Sequence, residues 1–285
     1  MTDSRVIILT LVVACGIACG DNQPSPAIQG HVSVEDGQLF YEVRGEGPPL
    51  VLIHGGATHL GMWDDQFDLF ARNYRVVRYD VRGFGRSGSG DVPHVQWDDL
   101  LALLRHLEIE RTHIVGLSLG GRIAVDFTLQ YPQMVDRLVL AGPGLSGWQF
   151  EREEWVGELA RAIEAGDKRA ASETWLQSPY LEAAREDPAL AERLRQLVLE
   201  SEQSWIPIFR GRRLTPPAVE RLAELKAPTL VILGSRDVDD IHRIVDLIAE
   251  KCPGARKIVL EGAGHMVNME RPEKFNRVVL EFLQG

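Results

Sequence analysis

Cysteine is scarce in this chain of 285 residues: there are three, Cys15, Cys19 and Cys252. Two of them stand close to the N-terminus, which leaves Cys252 alone in the body. A disulfide framework or a cysteine-built metal site there is excluded, and the fold must be held by its apolar core. Basic charge is also in deficit, with 31 Lys and Arg against 41 Asp and Glu and a formal net charge of -10. That field repels polyphosphates, so nucleic acid is not an expected partner, whereas a small neutral substrate is unaffected. No apolar run reaches the roughly 20 residues that a membrane-spanning helix requires. No internal repeat occurs, and no low-complexity tract beyond a short N-terminal stretch. What is present is 45% hydrophobic and 25% charged residues, the composition of a soluble domain with a substantial core.

Near the N-terminus, Arg5 precedes an apolar run from Val6 to Ala18 that is broken only by Thr10 and Gly16. Its length fits the central region of a secretory signal peptide. Small residues leading into a cysteine make it resemble a bacterial lipoprotein signal. Val12-Val13-Ala14 before Cys15 matches the usual pattern closely, while Gly16-Ile17-Ala18 before Cys19 leaves the longer apolar region. Cys19 is preferred as the lipid-attachment residue, with Cys15 as the second choice. The resemblance implies export and membrane attachment through the lipid alone, with residues 1–18 as signal and 19–27 as a polar, proline-bearing tether.

From residue 28 the pattern is of strands alternating with helices. Segments 31–35 and 39–44 flank an Asp36-Gly37 turn and predict a hairpin. Continuous apolar runs at 49–54, 75–79, 113–116, 137–141, 229–233 and 257–260 predict strands buried on both faces. Helical sequence at 100–107, 121–131 and 241–251 lies between them, which implies a mostly parallel sheet covered by helices. Residues 147–216 break this rhythm with Ala-, Glu-, Arg- and Leu-rich helical sequence at 153–165 and 190–201. They are expected to form a helical cap inserted into a core made of 28–146 and 217–285. Trp148, Trp155, Trp175 and Trp205 fall within it, and Trp148 and Trp205 are the candidate substrate contacts.

Three loops at strand ends carry the candidate chemistry. Gly116-Leu117-Ser118-Leu119-Gly120 follows a strand and opens a helix. A serine on such a sharp turn is raised above the sheet, and glycine is needed two residues to either side because a side chain would strike neighbouring backbone. Ser118 is therefore the candidate nucleophile, the competing possibility being an ordinary helix N-cap. His265, on the glycine-rich loop Glu261-Gly262-Ala263-Gly264-His265, is the candidate base. Asp237, Asp239 and Asp240 compete as the acid that orients it. Asp237 is favoured because it lies nearest the strand end, and its neighbours are expected to cap the next helix. The chain order Ser118, Asp237, His265 matches one known arrangement of this triad. Ile53-His54-Gly55-Gly56-Ala57 offers amides for an oxyanion hole together with that of Leu119. Gly56 is preferred and Ala57 is second. His54 is expected to be part of the turn.

Together with Asp80-Val81-Arg82-Gly83-Phe84-Gly85-Arg86-Ser87, these segments resemble the α/β-hydrolase superfamily from about residue 29 to the end. The resemblance implies an eight-stranded, mostly parallel α/β sheet with a helical cap, and an architectural role for Asp80, Arg82 and Ser87. Serine at the nucleophile position departs from the haloalkane dehalogenases, which carry aspartate there. Trp175-Leu176-Gln177-Ser178-Pro179 and the chain length are most similar to esterase and enol-lactonase-like members. The expectation is hydrolysis of a small-molecule ester or lactone without metal or organic cofactor. An enol-lactonase or carbon–carbon bond hydrolase using the same triad, a perhydrolase side activity and a ligand-binding protein of this fold are the alternatives.

Overall fold

The computed structural model describes residues 26–88, 94–151, 154–201, 212 and 214–285. Cys15, Cys19 and Trp205 lie outside the described residues, and so does the expected signal segment. Among the described residues no helix is long and apolar enough to cross a membrane, and no group of three or more His, Cys, Asp or Glu side chains is arranged to hold a metal ion. Cys252 is buried as a free thiol.

The frame is an eight-stranded sheet: β1 (Ile28–Val34), β2 (Gly37–Arg44), β3 (Pro49–Ile53), β4 (Arg75–Tyr79), β5 (Thr112–Leu117), β6 (Val135–Ala141), β7 (Thr229–Gly234) and β8 (Arg256–Leu260), in the order β1-β2-β4-β3-β5-β6-β7-β8. β1 and β2 form the expected hairpin, three residues longer at its start than the alternation suggests, and β2 pairs antiparallel with β4. All the other pairings are parallel. The two-residue link runs through Asp36 at φ 55°, a left-handed conformation that aspartate tolerates better than most residues.

The central strands are apolar throughout because both of their faces are covered. Alternate residues point to opposite sides. Val51, Ile53 and Ile114 pack with one set of helices, α2 (Gln96–His106), α3 (Leu119–Gln130) and a later helix over 239–251. Leu50, Leu52, Val115 and Leu117 pack on the other face, where α1 (Asp64–Phe70) lies. Neither α1 nor a short helix after residue 266 stands out in the apolar pattern.

Between β6 and β7 the chain leaves the sheet and forms α4 (Glu154–Glu164), α5 (Lys168–Leu176), α6 (Glu182–Arg185) and α7 (Pro188–Glu200). This is the helical cap. Asp167 and Asp187 cap α5 and α7 by accepting from Ala170 and Ala189 amides, the usual answer to unpaired N–H groups at a helix start. Leu159, Leu176, Leu181, Leu194 and Leu197 join the apolar cluster that begins on the second face of the sheet. The cap is thus tied to the core by shared apolar burial. The chain returns through α8 (Ala218–Arg221), then α9 (Asp239–Lys251), α10 (Val267–Glu270) and α11 (Pro272–Gln284).

Candidate active site

β3, β5, β7 and β8 run parallel, so the segments that follow them emerge at one edge of the sheet, where ligands bind in open α/β folds. Those segments carry His54, Ser118, Asp237 and His265.

Ser118 occupies the junction of β5 and α3 with φ 53° and ψ -111°. An N-capping serine has extended backbone and a side chain that accepts from the helix. Ser118 has neither feature, since its side chain makes no capping bond. Holding a serine at positive φ costs about 1–3 kcal/mol and persists only where the surroundings enforce it. Here Ser118 N donates to Ala141 O at 3.0 Å, while Gly144 N and Arg122 N donate to Ser118 O at 2.9 and 3.0 Å. The glycines follow from sterics. A Cβ on Gly116 would stand 2.3 Å from Gly120 O, and one on Gly120 would stand 2.1 Å from Ile53 O.

His265 is buried, and its Nδ1 lies 2.9 and 3.1 Å from the two carboxylate oxygens of Asp237. A carboxylate only accepts, so Nδ1 is the donor, and in the neutral tautomer this selects, Nε2 is the acceptor. Nε2 is buried and has no hydrogen-bond partner among the described residues. Asp237 is itself fixed by the Val238 amide, which donates to Oδ1 at 2.8 Å. Of the three candidate acids, Asp237 is therefore the one brought to the histidine.

Asp239 and Asp240 require a correction. Neither caps α9, whose N-cap is Val238 with no side-chain bond, although both lie in its first turn. Asp240 instead accepts from Trp148 Nε1 at 3.0 Å, from the Glu151 amide at 2.9 Å and from Arg243 at 2.9 Å. It fastens the start of the cap to the core. Asp239 is exposed.

A cavity of about 340 Å³ opens beside Ser118 and is also lined by Gly56, Ala57 and Leu119. The preferred oxyanion residues and the nucleophile candidate thus share one chamber. Ala57 stands at φ 59°, a positive φ like that of Ser118. The walls are aromatic. Trp148, Trp155, Trp175 and Tyr180 all contribute, with Trp155–Trp175, Trp155–Tyr180 and Trp175–Tyr180 ring centroids 5.9, 5.8 and 5.5 Å apart. Tyr180 also lies edge-on to His265 at 4.7 Å. Trp148, one of the two candidate substrate contacts, lines this cavity, whereas nothing in the sequence singles out Tyr180. Tyr180 directly follows the stretch Trp175 to Pro179 that carries the resemblance to esterase and enol-lactonase-like members, but its approach to His265 depends on how the cap folds back.

His54 is not placed as a base. Its Nε2 accepts from the Val81 amide at 2.8 Å and its Nδ1 donates to Gly55 O at 2.7 Å. Burial lowers its pKa to about 4, against the opposing influence of Asp80. Asp80 accepts from the Leu60 and Arg86 amides, Ser87 bridges Asp80 O and the Phe40 amide, and Arg82 pairs with Asp99. These three residues are architectural.

The model of the alpha/beta hydrolase fold family matches residues 48–272. A 2-hydroxy-6-oxononadienedioate/2-hydroxy-6-oxononatrienedioate hydrolase of Burkholderia vietnamiensis is 34% identical over 274 residues, covering 88% of this chain and 93% of that protein. Among solved structures, a hydrolase from Pseudomonas aeruginosa superposes with a TM-score of 0.79 at 32% identity, over 90% of this chain and 98% of its own. The enol-lactonase from Burkholderia xenovorans does so with a TM-score of 0.76 at 26% identity, over 90% and 100%.

Proposed function

The chain belongs to the alpha/beta hydrolase fold family and is a hydrolase, and we propose that it cleaves carboxylic esters of small or medium-sized molecules through Ser118, His265 and Asp237. The observation that supports this most directly is the buried Asp237–His265 pair, with Nε2 unpartnered among the described residues, together with a serine held on a strained turn in the wall of a cavity that is also lined by Tyr180, the ring that lies edge-on to His265.

In this reading Nε2 of His265 takes the proton of Ser118 as Oγ attacks the ester carbonyl. Asp237 keeps the imidazole in the required tautomer and stabilises its protonated form. The tetrahedral oxyanion is held by the amides of Gly56 and Leu119, the latter at the positive end of α3. His265 then returns the proton to the leaving alcohol, and water repeats the sequence on the acyl-enzyme. The proposed mechanism requires a Ser118–His265 hydrogen bond that forms with substrate bound, a stage at which catalytic contacts commonly tighten.

A second reading keeps the same residues and changes the substrate to an enol-lactone or a vinylogous keto-acid. It is favoured by the names of the Burkholderia relatives. Rates on nitrophenyl esters, lactones and a 2-hydroxy-6-oxo-dienoate, measured side by side, separate the two. Ser118→Ala is expected to lower turnover by about four to six orders of magnitude and to abolish labelling by a fluorophosphonate. Labelling that persists on another serine would remove Ser118 from the mechanism.

On the sequence alone we further propose export and lipid attachment through Cys19, or else Cys15. Detergent-phase partitioning and labelling by a fatty-acid analogue are expected, and both are lost when the two cysteines are changed to serine. Unlabelled protein that retains residues 1–18 would overturn this.

A further inference from the structure

His265 is secured to Asp237 through its side chain, but it is carried by a loop, 261–266, between β8 and α10. We propose that Glu270 is the positioning residue for that loop: its carboxylate grips the two backbone amides that flank His265 and so fixes where the imidazole stands. This rests on the reading of His265 as general base.

Gly264 N donates to Glu270 Oε2 at 2.6 Å, and Met266 N donates to Oε1 at 2.9 Å. The residue between those two amides is His265. Helix capping explains only half of this. A glutamate in the first turn that reaches back to the amide of the N-cap, here Met266, resembles a capping box. The bond to Gly264, two residues further out, contributes nothing to the helix and instead pins the loop ahead of the histidine. The approach is close enough to demand glycine, since a Cβ on Gly264 would stand 2.7 Å from the Ala183 side chain and 3.2 and 3.4 Å from the Glu270 oxygens.

Arg271 completes the hold from the opposite polarity. Its guanidinium donates to Gly262 O and to Glu270 O, each at 2.8 Å. Donors of the loop thus meet a carboxylate and an acceptor meets a cation. The charged and titratable groups around His265 are Asp237 on Nδ1, the Tyr180 ring, Glu270, and Arg271 and Arg236 over the same loop. Burial raises the Glu270 carboxyl, opposed by its two amide bonds and by the attraction of His265. An anion here also favours the imidazolium that forms during catalysis.

Glu270→Gln preserves shape, but its amide nitrogen cannot accept from the second N–H, and the charge is gone. On a nitrophenyl ester, kcat is expected to fall about tenfold while KM stays within about twofold. The acid limb of kcat/KM should move to lower pH by a few tenths of a unit. A merely structural role predicts a lower Tm with wild-type kcat and an unmoved acid limb, and that result would overturn the proposal. Should Glu270→Gln fail to fold, Glu270→Asp keeps the charge but reaches only one amide. It is then expected to lose kcat several-fold with the acid limb in place, and wild-type kcat in it would equally overturn the proposal. His265→Ala run alongside separates the two levels. Retained activity in it removes the base assignment, whereas an inactive His265→Ala with a wild-type Glu270→Gln removes only the role of Glu270.

Discussion

Ser118 and Asp237 illustrate how backbone geometry selects among chemically equivalent side chains. Many serines and aspartates are available, but the bonds around Ser118 hold it at φ 53°, and Asp237 alone of its cluster meets the imidazole. Asp239 points away into solvent, and Asp240 has its lone pairs committed to Trp148, Glu151 and Arg243. Asp237→Asn is therefore expected to lower turnover by about 10⁴, because the amide favours the wrong imidazole tautomer. Asp239→Asn should leave it near wild type. Steady-state rates on one nitrophenyl ester decide the matter, and the reverse ranking would transfer the orienting role to Asp239.

The cap elements contribute the walls of the chamber rather than its chemistry. α4 supplies Trp155, α5 supplies Trp175 and the turn beyond supplies Tyr180, so three short segments converge on one aromatic cluster. Trp148 precedes them and is held to α9 through Asp240. In the proposed ester reaction, large apolar side chains at the wall set how much acyl group fits, and each methylene gained or lost in such a pocket is worth about 1–3 kcal/mol. Trp148→Ala should shift the ratio of kcat/KM for long against short acyl esters toward the longer chains by about tenfold or more. A chain-length series of nitrophenyl esters measures this. Equal loss on every ester, together with a lower Tm, would mean that Trp148 serves packing alone.

For the molecule as a whole, burial of ionisable groups makes stability depend on pH. The pKa of His54 is lowered to about 4, whereas in the unfolded chain the ring titrates near 6.5. The unfolded state therefore binds the proton more readily. The contribution of His54 is complete above about pH 6.5 and is lost as pH falls toward about 4, at up to about 1.4 kcal/mol per pH unit. Asp126 acts in the opposite sense. Burial raises its carboxyl to about 6, so its contribution is present below the usual carboxylate range and is lost as pH rises through about 6. His54→Gln retains an acceptor for Val81 and a donor for Gly55 without the titration. Its urea midpoint is expected to fall less than that of wild type between pH 6.5 and 4.5. Parallel pH profiles would show that the ring titrates normally in the folded protein.

The order of strands and helices, the strained serine turn and the order of the three candidate residues are legible in the sequence. Each depends on local rules: continuous apolar runs for strands covered on both faces, and glycine at fixed spacing around a sharp turn. α1 and α10 were not legible, because short helices leave too few turns for a clear apolar period. The bonding of Asp240 to Trp148, the reach of Tyr180 to His265 and the grip of Glu270 on Gly264 were decided by tertiary structure. The Asp240 and Tyr180 contacts join residues 92 and 85 positions apart, and the third depends on a loop folding back onto the helix that follows it. Spacing along the chain carries no record of such contacts, because they form only when the cap, the sheet edge and the last loops pack on one another.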